Sequence, residues 1–206
     1  MMITNKDNSK ADTKGNKTRQ LIVDTAAKSF SKKGYLATPL KEIATSVGMK
    51  TGSLYYHFSS KEELMEEVLA TGMILIKQKV DEEMATLNEG ASFQEVFKTA
   101  VRGHLKAILQ HPDYTSTSLR NYIQIPPSVR DALHAKRVSY EQFWQDIITL
   151  GEKQGVLRKG LDTRLLKLSI FGCMNWASIW YKEGEKTIEE IATVQAEIFL
   201  HGCLAE

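Results

Sequence analysis

Apolar residues along this chain recur at spacings of three and four and almost nowhere alternate with polar ones. Helices therefore dominate, and the fold class is all-α. A first helix is predicted from about Lys17 to Lys33, with Leu21, Ile22, Thr25, Ala26, Ser29 and Phe30 on one face. Gly34 ends it, and the two lysines of its last turn suit the helix dipole. In "TPLKEIATSVG", Thr38 reads as an N-cap and Pro39 as the first helical residue. Leu40, Ile43, Ala44 and Val47 face inward, and Gly48 stops the helix. A third helix, no longer than the second, runs from about Thr51 to His57. Ser60 with Glu63 forms a capping box for a long fourth helix, which reaches about Met84 with Leu64, Val68, Leu69, Met73 and Ile76 inside. Further helices follow over roughly 92–110, 113–122, 128–154, 162–182 and 187–204. The breaks "NEGAS", "HPD", "IPPS", "GVLRKGLD" and "KEGEKT" separate them, giving nine helices in all.

Two helices as short as the second and third are not stable alone and must be held by packing. Joined by a glycine turn, they make a helix-turn-helix, whose second helix enters the DNA major groove. Within "TGSLYYHF", Leu54 and Phe58 form the buried stripe. Tyr55, Tyr56 and His57 are left pointing outward, where phenol and imidazole groups reach phosphate oxygens. Thr51, Gly52 and Ser53 are small enough to let the helix approach base edges. Lys50 is placed at a base or a phosphate, and Lys61 beside the open N-terminus of the fourth helix. Thr38 is expected to hydrogen-bond a phosphate from the second helix. One tyrosine ring is also expected to pack in part between helices three and four.

Charge supports this division. Residues 1–61 hold 11 Lys/Arg against 4 Asp/Glu, whereas residues 62–206 hold 16 against 21. The net charge of +2 therefore hides a basic head on an acidic body, and a basic head suits a polyanion. The composition, 42% hydrophobic and 25% charged, is that of a globular protein. The polar N-terminus carries no apolar leader segment, and no stretch is long enough to span a membrane. Cys173 and Cys203 lie in apolar helical patterns without metal-ligand spacing, and read as reduced core thiols of a cytoplasmic protein. The expected organisation is a disordered basic tail over 1–15, a helix-turn-helix domain over 16–62, and a helical body over 63–206.

The stretch "TRQLIVDTAAKSFSKKGYLATPLKEIATSVGMKTGSLYYHFSSKEELMEEVL" resembles the DNA-binding domain of TetR-family transcriptional regulators. The similarity runs without a gap over about fifty residues. It is carried by I-x-x-A-A-x-x-x-F-x-x-x-G-Y, by T-x-x-x-I-A-x-x-x-G and by L-Y-Y-H-F-x-x-K-E-x-L. Pro39 departs from the Ser or Thr common in the family. The resemblance implies a homodimer, formed through the last two helices, that represses from a near-palindromic double-stranded DNA operator. It also implies release when a small molecule enters the C-terminal body and the fourth helix shifts the spacing of the two reading heads. No cofactor is implied.

In the body, "IFGCMNWASIWYKEG" stands out. Asn175 sits mid-helix among apolar residues and requires a hydrogen-bond partner in the fold, in a dimer mate or in a ligand. Trp176, Ile179 and Trp180 form a stripe that suits either a dimer interface or a pocket. The segment is similar to the acyl-CoA-sensing branch of the family, with its "F/LGM-x-NW-x-x-x-WY" signature, although Cys173 here precedes Met174. That similarity implies an apolar tunnel for an acyl chain, with basic residues at its mouth for the phosphates. The basic candidates are Arg102, Arg120, Arg130, Lys136 and Arg137. The expected ligand-binding set is Arg120, Trp144, Asn175, Trp176, Ile179 and Trp180, and an aromatic or cationic drug held among Trp144, Trp176, Trp180 and tyrosines is the alternative. Catalysis is not expected. The chain has no GxSxG, HExxH, GxxxxGK[ST] or GxGxxG, and its five histidines lack metal-ligand spacing.

Overall fold

A computed structural model describes residues 8–205, with side chains over 15–205. It contains ten helices among the described residues: α1 (Asn8–Lys33), α2 (Leu40–Ser46), α3 (Thr51–His57), α4 (Lys61–Met84), α5 (Phe93–Gln110), α6 (Pro112–Arg120), α7 (Pro127–Ala132), α8 (His134–Lys153), α9 (Thr163–Trp180) and α10 (Ile188–Cys203). No strand is described; an isolated bridge pairs Leu157 with Leu204. None of these helices is long and apolar enough to cross a membrane.

Three expectations are corrected. Residues 1–7 of the predicted tail lie outside the described residues, while 8–15 continue α1, because nothing but Gly15 interrupts a helix-compatible run. The helix predicted over 128–154 is two, α7 and α8, so the count is ten rather than nine. The break falls at Leu133, whose side chain is buried in one core while Trp144, further along α8, is buried in the other. Finally, Cys173 is exposed and only Cys203 is buried.

One core joins α1–α4: Ile22, Val23, Ala26, Ala27 and Phe30 meet Ile43, Ala44, Leu54, Phe58, Leu64 and Val68. The inward face of α1 is thus rotated from the predicted one, and Leu21 is exposed. Ile125, Val129 and Leu133 complete this core, so the body reaches back into the helix-turn-helix unit. The second core is built on α5, where Phe93, Phe97, Ala100, Leu105 and Ile108 meet Trp144, Ile170, Met174, Ala196 and Leu200. The long α4 packs on both. It packs tightly on α5 at Gly103, where an added Cβ would stand 2.8 Å from Val80 Cα.

The turn between α2 and α3 uses Gly48 at φ +70°, the left-handed region that favours glycine. Ser60 caps α4 by accepting from Glu63 N at 3.0 Å. The Glu63 carboxylate reaches back to Ser59 N and Oγ, both at 2.7 Å, rather than to Ser60, so the predicted capping box is displaced by one residue.

Candidate functional site

The third helix presents the predicted face. Leu54 and Phe58 are fully buried, and the Arg19 guanidinium lies 4.3 Å over the Phe58 ring while pairing with Glu67 at 2.8 Å. The opposite side is open. Gly52, Ser53, Tyr55 and Lys50 are exposed, Thr51 and His57 are half-buried, and Tyr56 is 89% exposed. A Cβ added at Gly52 would meet nothing within 4 Å, which is the flat surface a base edge requires. Tyr56 and His57 pack edge to face at 5.5 Å.

Lys61 begins α4 beside this face. Its Nζ lies 4.3 Å over the Tyr35 ring. Partial burial lowers the pKa of the amine, and neighbouring Glu62 offsets part of this. The Tyr35 hydroxyl donates to Glu62 Oε1 at 3.1 Å, and burial, with that carboxylate, pushes the phenol up to about 12.

Thr38 is the exception. It is fully buried, its Oγ1 donates 2.8 Å to Gly34 O, and it does not cap α2, whose N-cap is Pro39. The hydroxyl is used to close the α1–α2 turn and is not on the open face.

The body contains a cavity of about 630 Å³ between α4 and α5–α9. Leu69, Gly72, Met73 and Ile76 of α4 form one wall, and Tyr114, Leu119, Tyr122 and Ile125 another. At one end His104, Tyr140, Phe171 and Asn175 come together. His104 is buried, with Nδ1 2.7 Å from the Tyr140 hydroxyl and Nε2 3.1 Å from Asn175 Oδ1. Asn175 thus has the partner its position required. Burial depresses the His104 pKa to about 4, although the Asn175 hydrogen bond opposes the shift. Burial likewise pushes the Tyr140 phenol well above its ordinary range.

The other expected ligand residues lie elsewhere. Trp144 is fully buried beneath the cavity, with ring contacts to Phe97, His104, Phe143 and Phe171, and does not line it. Trp176, Ile179 and Trp180 face outward from α9, the two tryptophans 57% and 46% exposed. Arg120 and Lys136 are exposed away from the cavity, and Arg102 is bonded to Glu83 at 2.6 Å. Of the basic candidates, Arg130 and Arg137 line the cavity, and both are exposed at its edge. His104 and Tyr140 were missed as a pair. The available signal was a histidine on the otherwise apolar face of α5, which calls for a buried partner just as Asn175 does.

The wall nearest the helix-turn-helix is clasped to it. Asn121, fully buried, accepts from Tyr35 N at 2.6 Å and donates to Phe30 O at 3.1 Å and to Thr117 O at 2.9 Å. Gln124 Oε1 accepts from Leu36 N at 3.2 Å, and the Tyr114 hydroxyl donates to Asp24 of α1. The residues that touch the cavity are therefore interleaved with those that hold α1 and Tyr35. Among the described residues, no group of three or more His, Cys, Asp or Glu side chains could hold a metal ion.

Comparison with known proteins agrees with this layout. Residues 22–68 match the family model for bacterial regulatory proteins of the tetR family, and residues 90–203 match the one for the tetracyclin repressor-like C-terminal domain. The HTH-type transcriptional repressor KstR2 of Rhodococcus jostii (strain RHA1) is 26% identical over 198 residues, covering 93% of this chain and 94% of the relative. The structure of the ketosteroid transcriptional regulator KstR2 of Mycobacterium tuberculosis superposes with a TM-score of 0.78 at 23% identity, over 91% of this chain and 95% of that one. The structure of AibR in complex with isovaleryl coenzyme A and operator DNA gives 0.77 at 23% identity, over 88% and 97%. These relatives regulate transcription and are not enzymes. The chain belongs to the TetR family and is a TetR-type transcriptional repressor.

Proposed function

We propose that the protein acts as a homodimer that holds a near-palindromic operator and lets go when an acyl-CoA thioester enters the cavity. The observation that carries this reading is the cavity itself: about 630 Å³, with apolar and tyrosine side chains on its walls and Arg130 and Arg137 exposed at its edge, Arg137 lying 3.9 Å from Glu141, which also lines it. Its size suits an acyl group, and arginines suit the phosphates of the carrier. The AibR complex, solved with isovaleryl coenzyme A, supports the ligand class. Of the residues on which the drug alternative rested, none of the three tryptophans lines the cavity, while Tyr114, Tyr122 and Tyr140 do.

On this reading α3 lies in the major groove. Lys50, Thr51, Gly52 and Ser53 face base edges, while Tyr55, Tyr56, His57 and Lys61 meet phosphates. The two copies join through α9 and α10, whose outer faces expose Leu165, Trp176, Ile179, Trp180, Val194 and Ile198. Scattered apolar residues are ordinary on a surface, but six on two adjacent helices support an interface there.

Release follows from the shared wall. A ligand that displaces α6 and residues 121–125 loosens the grip of Asn121 on Tyr35. Tyr35 supports Lys61, and α4 itself forms the opposite wall. A small shift of α4 changes the spacing of the two reading heads, and half-site spacing is a geometric requirement.

Native mass spectrometry with a panel of CoA thioesters tests the assembly and the ligand. A dimer that gains one thioester per chain is expected. A monomer, or a dimer that takes up no thioester at any chain length, contradicts the reading.

A further inference from the structure

The His104–Tyr140–Asn175 cluster fixes more than its own packing. Asn175 Oδ1 only accepts, so the proton on the ring must sit on His104 Nε2, 3.1 Å away. A neutral imidazole then has Nδ1 as an acceptor, and the Tyr140 O–H donates to it at 2.7 Å. Burial keeps the ring neutral far below physiological pH, so this arrangement does not switch under ordinary conditions. The relay ends at the Asn175 amide nitrogen. Its two N–H groups have no acceptor among the described residues, and the side chain lines the cavity. Asn175 is half-buried, so solvent can meet these donors in the free protein, and a ligand that covers them must supply an oxygen in its place.

We propose that Asn175, aimed by His104 and Tyr140, is the specificity-determining donor of this cavity and selects ligands that place a carbonyl oxygen against it over ligands of the same shape without one. The proposal rests on the cavity being the ligand site and refines the acyl-CoA reading. The oxygen is either the thioester carbonyl or a keto group on the acyl chain. A ligand lacking it would leave the amide both desolvated and unpaired.

The test uses the full-length protein, labelled with ¹⁵N, and two small probes of matched shape. Acetophenone carries the carbonyl, and α-methylstyrene replaces its oxygen with a methylene. Acetophenone should bind about tenfold more tightly. It should also shift the side-chain NH₂ resonances that Asn175→Leu removes. In that variant the two probes should bind equally. The imidazole ¹⁵N spectrum should show the Nε2-protonated neutral form, and Tyr140→Phe should reduce the preference without abolishing binding. Equal affinity of the two probes for the unaltered protein overturns the proposal, as does binding of neither or an unmoved Asn175 resonance.

Octanoyl-CoA, its S-octyl thioether analogue and 3-oxooctanoyl-CoA then separate the two sources of oxygen. Preference for octanoyl-CoA over the thioether assigns the thioester carbonyl, and preference only for the oxo compound assigns the keto group. If no CoA compound enters while the ketone preference holds, the acyl-CoA reading fails and the role of Asn175 stands. If CoA compounds enter with no preference for oxygen, the reverse holds.

Discussion

Replacing Asn121 by alanine should cost about 2–4 kcal/mol of stability, and the structure says where the loss arises. The amide serves three backbone groups: it accepts from Tyr35 N at 2.6 Å and donates to Phe30 O and Thr117 O. The two carbonyls keep other donors, since Gly34 N bonds Phe30 O and Asn121 N bonds Thr117 O, each at 3.1 Å. Tyr35 N has no such reserve, and Tyr35 is 4% exposed. Orphaning a buried N–H costs about 1–3 kcal/mol. The void left by the amide adds about 1 kcal/mol, because the surrounding core relaxes only in part. Asn121→Asp should be the worse variant. It keeps the acceptor for Tyr35 N but sets a carboxylate against two carbonyl oxygens. The assay is urea denaturation at fixed protein concentration, because dimerisation couples stability to concentration. A loss in Asn121→Ala below about 0.5 kcal/mol, or a milder effect of aspartate than of alanine, would refute the reasoning. If the clasp also transmits release, Asn121→Ala should bind operator more weakly and respond less to ligand.

Other variants probe the rest. Gly103→Ala should destabilise by about 2 kcal/mol or more, because its Cβ would meet Val80 Cα at 2.8 Å and Lys79 O at 3.2 Å, both backbone atoms that cannot turn aside; an unchanged thermal midpoint would contradict the close α4–α5 packing. His104, neutral in the fold to about pH 4 against an ordinary 6.5, makes folding favour the unprotonated ring. Its contribution is whole above about pH 6.5, is lost as pH falls toward 4, and amounts to at most about 3 kcal/mol. The difference in stability between the unaltered protein and His104→Gln should follow that window, and a flat difference would refute it. Tyr55→Phe and Lys61→Ala should weaken operator binding on every sequence, with Lys61→Ala also reducing its salt dependence, whereas Lys50, Thr51 or Ser53 variants should change which sequences are preferred. Binding curves for Tyr55→Phe, Tyr56→Phe and Lys61→Ala that all overlie the original would reject the docking model.

Much of this was legible in the residues. The third helix runs from Thr51 to His57 as its turn chemistry indicated, and the i, i+4 pair Leu54 and Phe58 is its buried stripe. Asn175 demanded a partner and has one in His104. What stayed hidden was which buried face meets which neighbour. Periodicity placed Trp144 and Trp176 equally well, yet one is core and the other exposed, because helical spacing fixes a face relative to its own axis and not to the cavity. The same limit hid the split at Leu133. The pattern is continuous through 128–154, yet the helix breaks at Leu133, which is buried in one core while Trp144 is buried in the other. Thr38 was a sound cap by type, but Pro39 took the cap position and left the threonine hydroxyl to close the turn.

The most direct test is to follow binding to the operator, selected from a random DNA pool, while CoA thioesters of increasing chain length are added. A specific complex is expected that survives competitor DNA and is dissolved by at least one thioester, with Arg130→Ala and Arg137→Ala raising the concentration needed. An operator complex that persists unchanged at saturating concentrations of every thioester would contradict it.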